Sequence, residues 1–412
     1  MNHFFNVKSL EDVWKLIGDF SPIESEVIPV SRSFSRILAQ DILSPADIPG
    51  FRRAAMDGYA VAAHSTFGAS ESNPAWLEIA GTIFMGDIPD FKINPGTAAR
   101  ISTGGMLPEG ADAVVMVEHT EVVDEHSVEI YKSVAPLQHV IDASEDFAKN
   151  EAVLTWGTFI RPQEQGLMAG LGIEQVRVYQ QPKVGIISTG DEIIPIDQIP
   201  LPGQIRDINS YTLSAFIREA HADPVCYGIV KDDPAALKVS MEQALEETDM
   251  VMISGGSSVG TKDYTIDVLS GLPDTRVMVH GISISPGKPT ILAKSGNTPV
   301  WGLPGQVTSA MVVLKIVVLP FLDRLKGLSN TDRSSRRIVV PARLTRNVAS
   351  TQGRRDFVRV KLIREKDQLL AVPILGKSGL IRTMIHADGL LEISDHLEGL
   401  EKDTQVNIIL FI

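Results

Sequence analysis

The chain is poor in the residues that most often announce a site. Its 412 residues include one cysteine, Cys226, so no internal disulfide can form, and no Cys-Cys or His-rich spacing offers the ligands of a zinc site. Cys226 falls in the apolar run Asp223-Pro-Val-Cys-Tyr-Gly-Ile-Val230, read as a buried strand in which a thiol is an inert core group. The opening Met1-Asn-His-Phe-Phe-Asn-Val-Lys8 lacks the basic segment and apolar run of a secretory signal. The longest apolar stretch, Ser309 to Leu322, carries Lys315 and Pro320 and is too short to span a bilayer. No membrane association is expected, and the cytoplasm is the simplest compartment. Basic charge is also in deficit. A formal net charge of -13 leaves no general basic face for a phosphate backbone, so no nucleic-acid partner is expected. Solenoid repeats, low-complexity tracts, a P-loop, a nucleophile elbow and a Ser/His/Asp spacing are all missing. His280 and His386 stand singly, and single histidines are more often structural than catalytic.

What the chain does have is glycine and serine placed directly after apolar runs. In Asp249-Met-Val-Met-Ile-Ser-Gly-Gly-Ser-Ser-Val-Gly-Thr-Lys-Asp263, residues 250–253 have the length and apolarity of a strand buried on both faces of a parallel sheet. The run breaks into Ser254 to Gly260, where Gly255, Gly256, Ser257 and Ser258 allow close backbone approach and leave N–H groups free for an anion. Asp263 follows at once. A phosphate cradle beside a carboxylate is one reading, and a plain strand connection is the other.

The surrounding pattern bears on that choice. Residues 182–330 alternate strand and helix: strands at Val184 to Ser188, Val225 to Val230, Met250 to Ile253, Val277 to Ile284 and Pro299 to Leu303. Helices are expected at Tyr211 to Ala220, capped by Asn209 or Ser210, at Pro234 to Glu247, near Tyr264 to Leu269, and from Val307 onward. Such alternation implies a three-layer α/β domain, whose ligands bind outside the carboxyl ends of the strands. Ser188-Thr-Gly-Asp-Glu192, the Gly/Ser loop, Ser285-Pro-Gly-Lys-Pro289 and Gly302-Leu-Pro-Gly305 would gather at that edge, which chance turns do not explain. Asp191, Glu192 and Asp263 there, with Asp57 and Asp146 elsewhere, are carboxylates in turn contexts, and a hard cation such as Mg²⁺ takes such oxygens together with substrate phosphates. Lys288, between Gly287 and Pro289, holds an ammonium at a fixed point facing an anion. Gly305 precedes a helix whose first N–H groups are free.

Elsewhere a short helix is expected over Ser9 to Ile17 and a second over Ser33 to Asp41. The expected architecture is multidomain α/β plus β: 1–50 with 141–180 as an N-terminal and linker domain, 51–140 as an inserted mostly-β domain, 181–330 as the α/β domain and 331–412 as a C-terminal β domain. Asp332 to Lys366 is basic in an acidic chain. A solvated strand face accounts for that, and a rim attracting an anionic ligand is the alternative.

Taken together, Ala55-Met-Asp-Gly-Tyr-Ala60, Ile101-Ser-Thr-Gly104, Leu107-Pro-Glu-Gly-Ala-Asp-Ala-Val-Val115, Ser188 to Glu192, Ser254 to Gly260 with Asp263, Pro286 to Pro289 and Gly302 to Gly305 resemble the molybdopterin molybdenumtransferase (MoeA) family, whose vertebrate counterpart is the gephyrin E domain. The resemblance implies a molybdopterin-binding α/β domain and a homodimer with its active site near the subunit interface. It also implies insertion of molybdate into adenylylated molybdopterin, with Mg²⁺-dependent release of AMP. Asp57 and Thr103 would reach the site from the β domain. Glu192, Asp263 and Asp146 would hold the metal, and Gly255 to Ser258 the pterin or its phosphate. Lys288, Gly287, Pro289 and Gly305 would face the oxyanion or the adenylate. A molybdopterin adenylyltransferase and molybdoenzymes are the implied partners. The chain departs from many members at Ser285, where a lysine is usual, at Gln306-Val307 in place of Asn-Pro, and at Ala143-Ser-Glu in place of Gly-Glu; tungstate, alike in charge and size, is a second candidate anion. A molybdopterin-binding scaffold without turnover and a nucleotide-processing enzyme on the same α/β domain are the other readings.

Overall fold

The computed structural model describes residues 7–255, 264–328 and 338–411. The chain packs as two compact units, one of Met1–Gln40, Trp156–Ala169 and Ile173–Ile412, the other of Asp41–Thr155 and Gly170–Gly172.

The larger unit contains the alternating region. Its strands are β1 (Lys183–Thr189), β2 (Asp223–Val230), β3 (Met250–Ser254), β4 (Thr275–His280), β5 (Ile291–Ser295) and β6 (Thr298–Leu303), arranged in the order β2-β1-β3-β6-β5-β4. β1 runs parallel to β2 and β3, and β3 parallel to β6; β5 is antiparallel to both β6 and β4. Helices α1 (Asn209–Glu219), α2 (Pro234–Glu247), α3 (Tyr264–Gly271) and α4 (Val307–Val313) cover the sheet. Strand β3 shows why both faces must be covered. Met250 and Met252 enter a core with Leu213, Ile217, Val312 and Trp301, while Val251 and Ile253 enter another with Leu237, Met241 and Leu269. Period-two alternation sends successive apolar side chains to opposite helical layers. The largely parallel three-layer domain is therefore as expected.

Three expectations are corrected. Strand β5 went unrecognised, although Gly296-Asn297 between two apolar runs is a hairpin signal. Ser295 pairs with Thr298, and Gly296 takes the first turn position with φ 56°, as a primed two-residue turn requires. No helix forms over Ser33 to Asp41. A 3₁₀ turn at Val30–Arg32 is followed by extended chain in which Ile37 and Leu38 bridge Phe159 and Val178, so long-range pairing overrides local propensity. Cys226 is not buried. It is exposed on β2, the edge strand, with Sγ 3.2 Å from the Ser214 hydroxyl.

The C-terminal strands of this unit form a sheet in which Arg355–Glu365 pairs with Gln368–Pro373, with Gly389–Ile393 and, in parallel, with the short strand Ile284–Ser285. The last pairing anchors one site loop, because Ser285 lies opposite Asp356. The smaller unit is built on a six-stranded sheet. In it Gly58–Val61 lies between Thr97–Ile101 and Ala113–Met116. Among the described residues, no helix is long and apolar enough to cross a membrane.

Candidate functional site

Three parallel strands of the α/β sheet end in loops that touch. Gly255 follows β3 with φ 111°, and a Cβ on it would lie 2.1 Å from the Thr189 carbonyl oxygen at the end of β1, so only glycine fits. Its N–H donates to the Leu303 carbonyl at the end of β6 (3.3 Å), and a Cβ on Gly305 would stand 3.6 Å from the Gly255 Cα. Asn209 ties the loops from below. It is buried, and its Nδ2 donates to Ser254 Oγ (2.5 Å) and to the Gly305 carbonyl (2.9 Å). Asn209 is thus not the cap of α1. Ile208 stands at the cap position, and the first turn is closed by Asp207, whose carboxylate accepts from the Ser210 N–H (3.0 Å), which leaves the asparagine to join two strand ends.

Carboxylates stand on this edge. Glu192 is exposed and folds back over Gly190, where a Cβ would lie 2.9 Å from its Oε2. Thr189 Oγ1 donates to Asp232 (2.9 Å), and the Asp232 N–H donates to Asp191 (3.3 Å). Asp232 was missed in the sequence, although it follows β2 as Glu192 follows β1; Lys231-Asp-Asp-Pro234 has no glycine or serine to mark the loop. Gly256, Ser257, Ser258 and Asp263 lie outside the described residues. Among the described residues no three His, Cys, Asp or Glu side chains converge as a metal site. The all-oxygen donors present still suit Mg²⁺, which binds through one or two carboxylates when substrate phosphates supply the rest.

Beside these loops opens a cavity of about 580 Å³, lined among others by Ser285, Lys288, Gly305, Gln306, Arg354 and Ser378. Its Pro286-Gly-Lys-Pro289 wall is held rigidly. Gly287 has φ 113°, a Cβ there would lie 2.4 Å from Val313 Cγ2, and its carbonyl accepts from Thr290 Oγ1 (2.6 Å). Lys288 is exposed at the turn, and Gly287, Lys288, Pro289 and Gly305 all line this one cavity. Arg354 and Ser378 were not foreseen. Arg354 belongs to the basic stretch, pairs with Asp356 (2.9 Å) and lines the cavity. Ser378 is presented by a loop whose backbone carbonyl accepts from the Thr308 N–H (3.2 Å) and hydroxyl. No local pattern in the sequence marks such a long-range partner.

In the smaller unit Asp57 and Thr103 are brought together. Asp57 Oδ1 accepts from the Thr103 N–H (2.7 Å) and hydroxyl (3.1 Å). These bonds, the backbone one foremost, hold the Asp57 carboxyl below its usual range. The Thr103 loop is fixed in turn on Ala54, which accepts from the Gly104 N–H and donates to the Gly105 carbonyl. Asp146 is exposed on a different stretch, its N–H bonded to the Ile48 carbonyl.

Models of known families match in chain order: the MoeA N-terminal region (domain I and II) over residues 8–172, a probable molybdopterin binding domain over 185–324, and the MoeA C-terminal region (domain IV) over 341–411. The chain belongs to the MoeA family. A putative molybdopterin biosynthesis protein of Methanocaldococcus jannaschii is 39% identical across 93% of this chain and 91% of its own length. The molybdopterin molybdenumtransferase of Haemophilus influenzae is 33% identical across 82% and 81%. A molybdopterin biosynthesis MoeA protein of Pyrococcus horikoshii, solved as a crystal structure, superposes with TM-score 0.84 at 29% identity over 98% of this chain and all of the other. The first model includes the β unit with Asp57 and Thr103, so the MoeA reading displaces that of a nucleotide-processing enzyme with the α/β domain alone.

Proposed function

We propose that this MoeA-family chain acts in molybdenum cofactor biosynthesis as a molybdopterin molybdenumtransferase, inserting molybdate into adenylylated molybdopterin with release of AMP. The observation that carries the reading is the cavity where Lys288, Arg354, Ser378 and Gln306 meet, beside the Gly255 and Gly305 loops. Cations and neutral donors there suit a small oxyanion, and the glycine loop next to them lets a phosphate approach the backbone. One substrate would be held at each place, with the transfer occurring between them. Asn209 keeps the two loops in register, since its two hydrogen bonds end on both. Ser285 and Gln306 offer neutral donors where many members carry a lysine and an asparagine, so the oxyanion is held with less positive charge.

Glu192 and Asp263, with Asp146 a further carboxylate, are the residues that would hold Mg²⁺, which when bound offsets phosphate charge. Asp57 and Thr103 form a hydrogen-bonded acceptor and donor pair suited to a polar edge of the substrate. We read the active form as a homodimer, the division as the four domains given above, and the compartment as cytoplasmic. A molybdopterin adenylyltransferase would supply the substrate and molybdoenzymes receive the product.

The test is AMP release from adenylylated molybdopterin by the purified protein with Mg²⁺, with and without molybdate and with tungstate in parallel. Release that requires an oxyanion is expected. Tight pterin binding without release under any condition would replace the transferase with a carrier or scaffold.

A further inference from the structure

Arg359 is a buried charge that the site as described does not use. It sits on the strand Arg355–Glu365, four residues beyond Arg355, on the face that Phe357 presents to the α/β core. Arg359 is 8% exposed. Its Nη2 donates to the Gly376 carbonyl (2.9 Å), and among the described residues its Nε and Nη1 have no hydrogen-bond partner. On the same strand and the strand beside it, Asp356 pairs with Arg354 and Glu392 with Arg355, and among the described residues no salt bridge is seen to Arg359. A guanidinium buried without a counter-charge is costly, and natural proteins rarely keep one unless an anion or hydrogen-bond acceptors balance it. Burial accordingly lowers its pKa, although an arginine stays charged at neutral pH.

Its position indicates what the balance is. The carbonyl it grips, Gly376, is two residues before Ser378, which lines the oxyanion cavity. The strand that carries it pairs with Ile284–Ser285, the entry to the Lys288 turn. Arg359 is therefore tied to one cavity wall through Gly376 and lies on the strand that anchors another.

We infer that Arg359 is a positioning and specificity-determining residue for the oxyanion: it fixes the Ser378 wall through Gly376, and its unbalanced charge makes the cavity select dianions over monoanions. This rests on the oxyanion reading of the cavity. Two roles then follow from one side chain. The grip on Gly376 is geometric and acts on every tetrahedral anion alike. The charge acts in proportion to the anion's own charge, so it strengthens tungstate and molybdate about twice as much, in free energy, as it strengthens perrhenate, a tetrahedral monoanion of similar size.

The experiment compares tungstate with perrhenate by isothermal titration calorimetry on the full chain, as wild type, Arg359→Gln and Arg359→Lys. Glutamine can still donate to Gly376 but is neutral, whereas lysine keeps the charge and loses the planar fork. Wild type is expected to prefer tungstate. In Arg359→Gln that preference should shrink on the order of tenfold, while Arg359→Lys should keep it within about twofold. An unchanged tungstate-to-perrhenate ratio in Arg359→Gln, with both affinities lowered equally or not at all, would leave Arg359 a structural residue and overturn the inference. Should the glutamine variant not fold, the lysine variant decides alone: a collapsed ratio despite the retained charge also overturns it. If wild type binds neither anion, the oxyanion reading itself falls, an outcome distinct from both.

Discussion

The two units hold their polar groups by different means. In the α/β unit the strand ends are locked by backbone against backbone: Gly255 has no room for a Cβ because the Thr189 carbonyl oxygen would lie 2.1 Å away. In the smaller unit the nearest obstacle to a Cβ on Gly104 is the tip of Met85, 2.8 Å away, the far end of a flexible side chain. Asp57 is held by two hydrogen bonds from a single residue. The first arrangement limits where a ligand can lie, and the second orders one carboxylate. Preorganisation of this kind is what a site needs at the position of transfer.

The contrast can be tested with paired substitutions. Gly255→Ala should cost roughly 3 kcal/mol, from left-handed strain and a backbone clash that cannot relax, read as a fall in thermal or urea midpoint. Gly104→Ala, also at positive φ (82°), should cost only about 1 kcal/mol, and equal losses would erase the distinction between the units. Lys288→Ala should lower oxyanion-dependent AMP release by about a hundredfold, the scale seen when one charge-stabilising donor is removed, with the melting temperature unchanged. Asn209→Ala should cost about 1–2 kcal/mol, since two buried hydrogen bonds go and the Gly305 carbonyl loses a donor. The smallest effect belongs to Thr103→Val, which removes the hydroxyl donor but keeps the N–H.

That last change is best followed as a titration. The Asp57 carboxyl lies below its ordinary range because the Thr103 bonds favour the charged form. A depressed folded pKa contributes stability that is present above the unfolded value, about 4 for a carboxylate, and is lost as pH falls through the folded value. NMR titration of wild type should show Asp57 protonating below the usual carboxylate range, and Thr103→Val should move it part of the way back. No movement would assign the depression to the backbone N–H alone.

Most of the α/β unit could be read from the sequence because its signals are local. A run such as Met250 to Ile253 has the length and apolarity of a strand buried on both faces, and Pro234 after Asp233 starts a helix whose cap is now seen accepting from Ala236. The loops at the carboxyl ends followed from that alternation. What escaped depends on distant chain. Arg354 and Ser378 enter the cavity from the C-terminal sheet, Asn209 serves two strand ends instead of its own helix, and Cys226 is exposed because its strand proved to be an edge. Composition says that a strand is apolar, but only strand order says whether a neighbour covers it. Asp57 and Thr103 were found through family resemblance, and nothing in their spacing alone would have paired them.

The central claim is that the cavity between Lys288 and Arg354 is where the metal oxyanion binds. Crystals soaked in tungstate and measured at the tungsten absorption edge test it most directly. The account predicts a strong anomalous peak in that cavity, within hydrogen-bond reach of Lys288 and Ser378. A peak at another place on the strand edge, with this cavity empty, would contradict it.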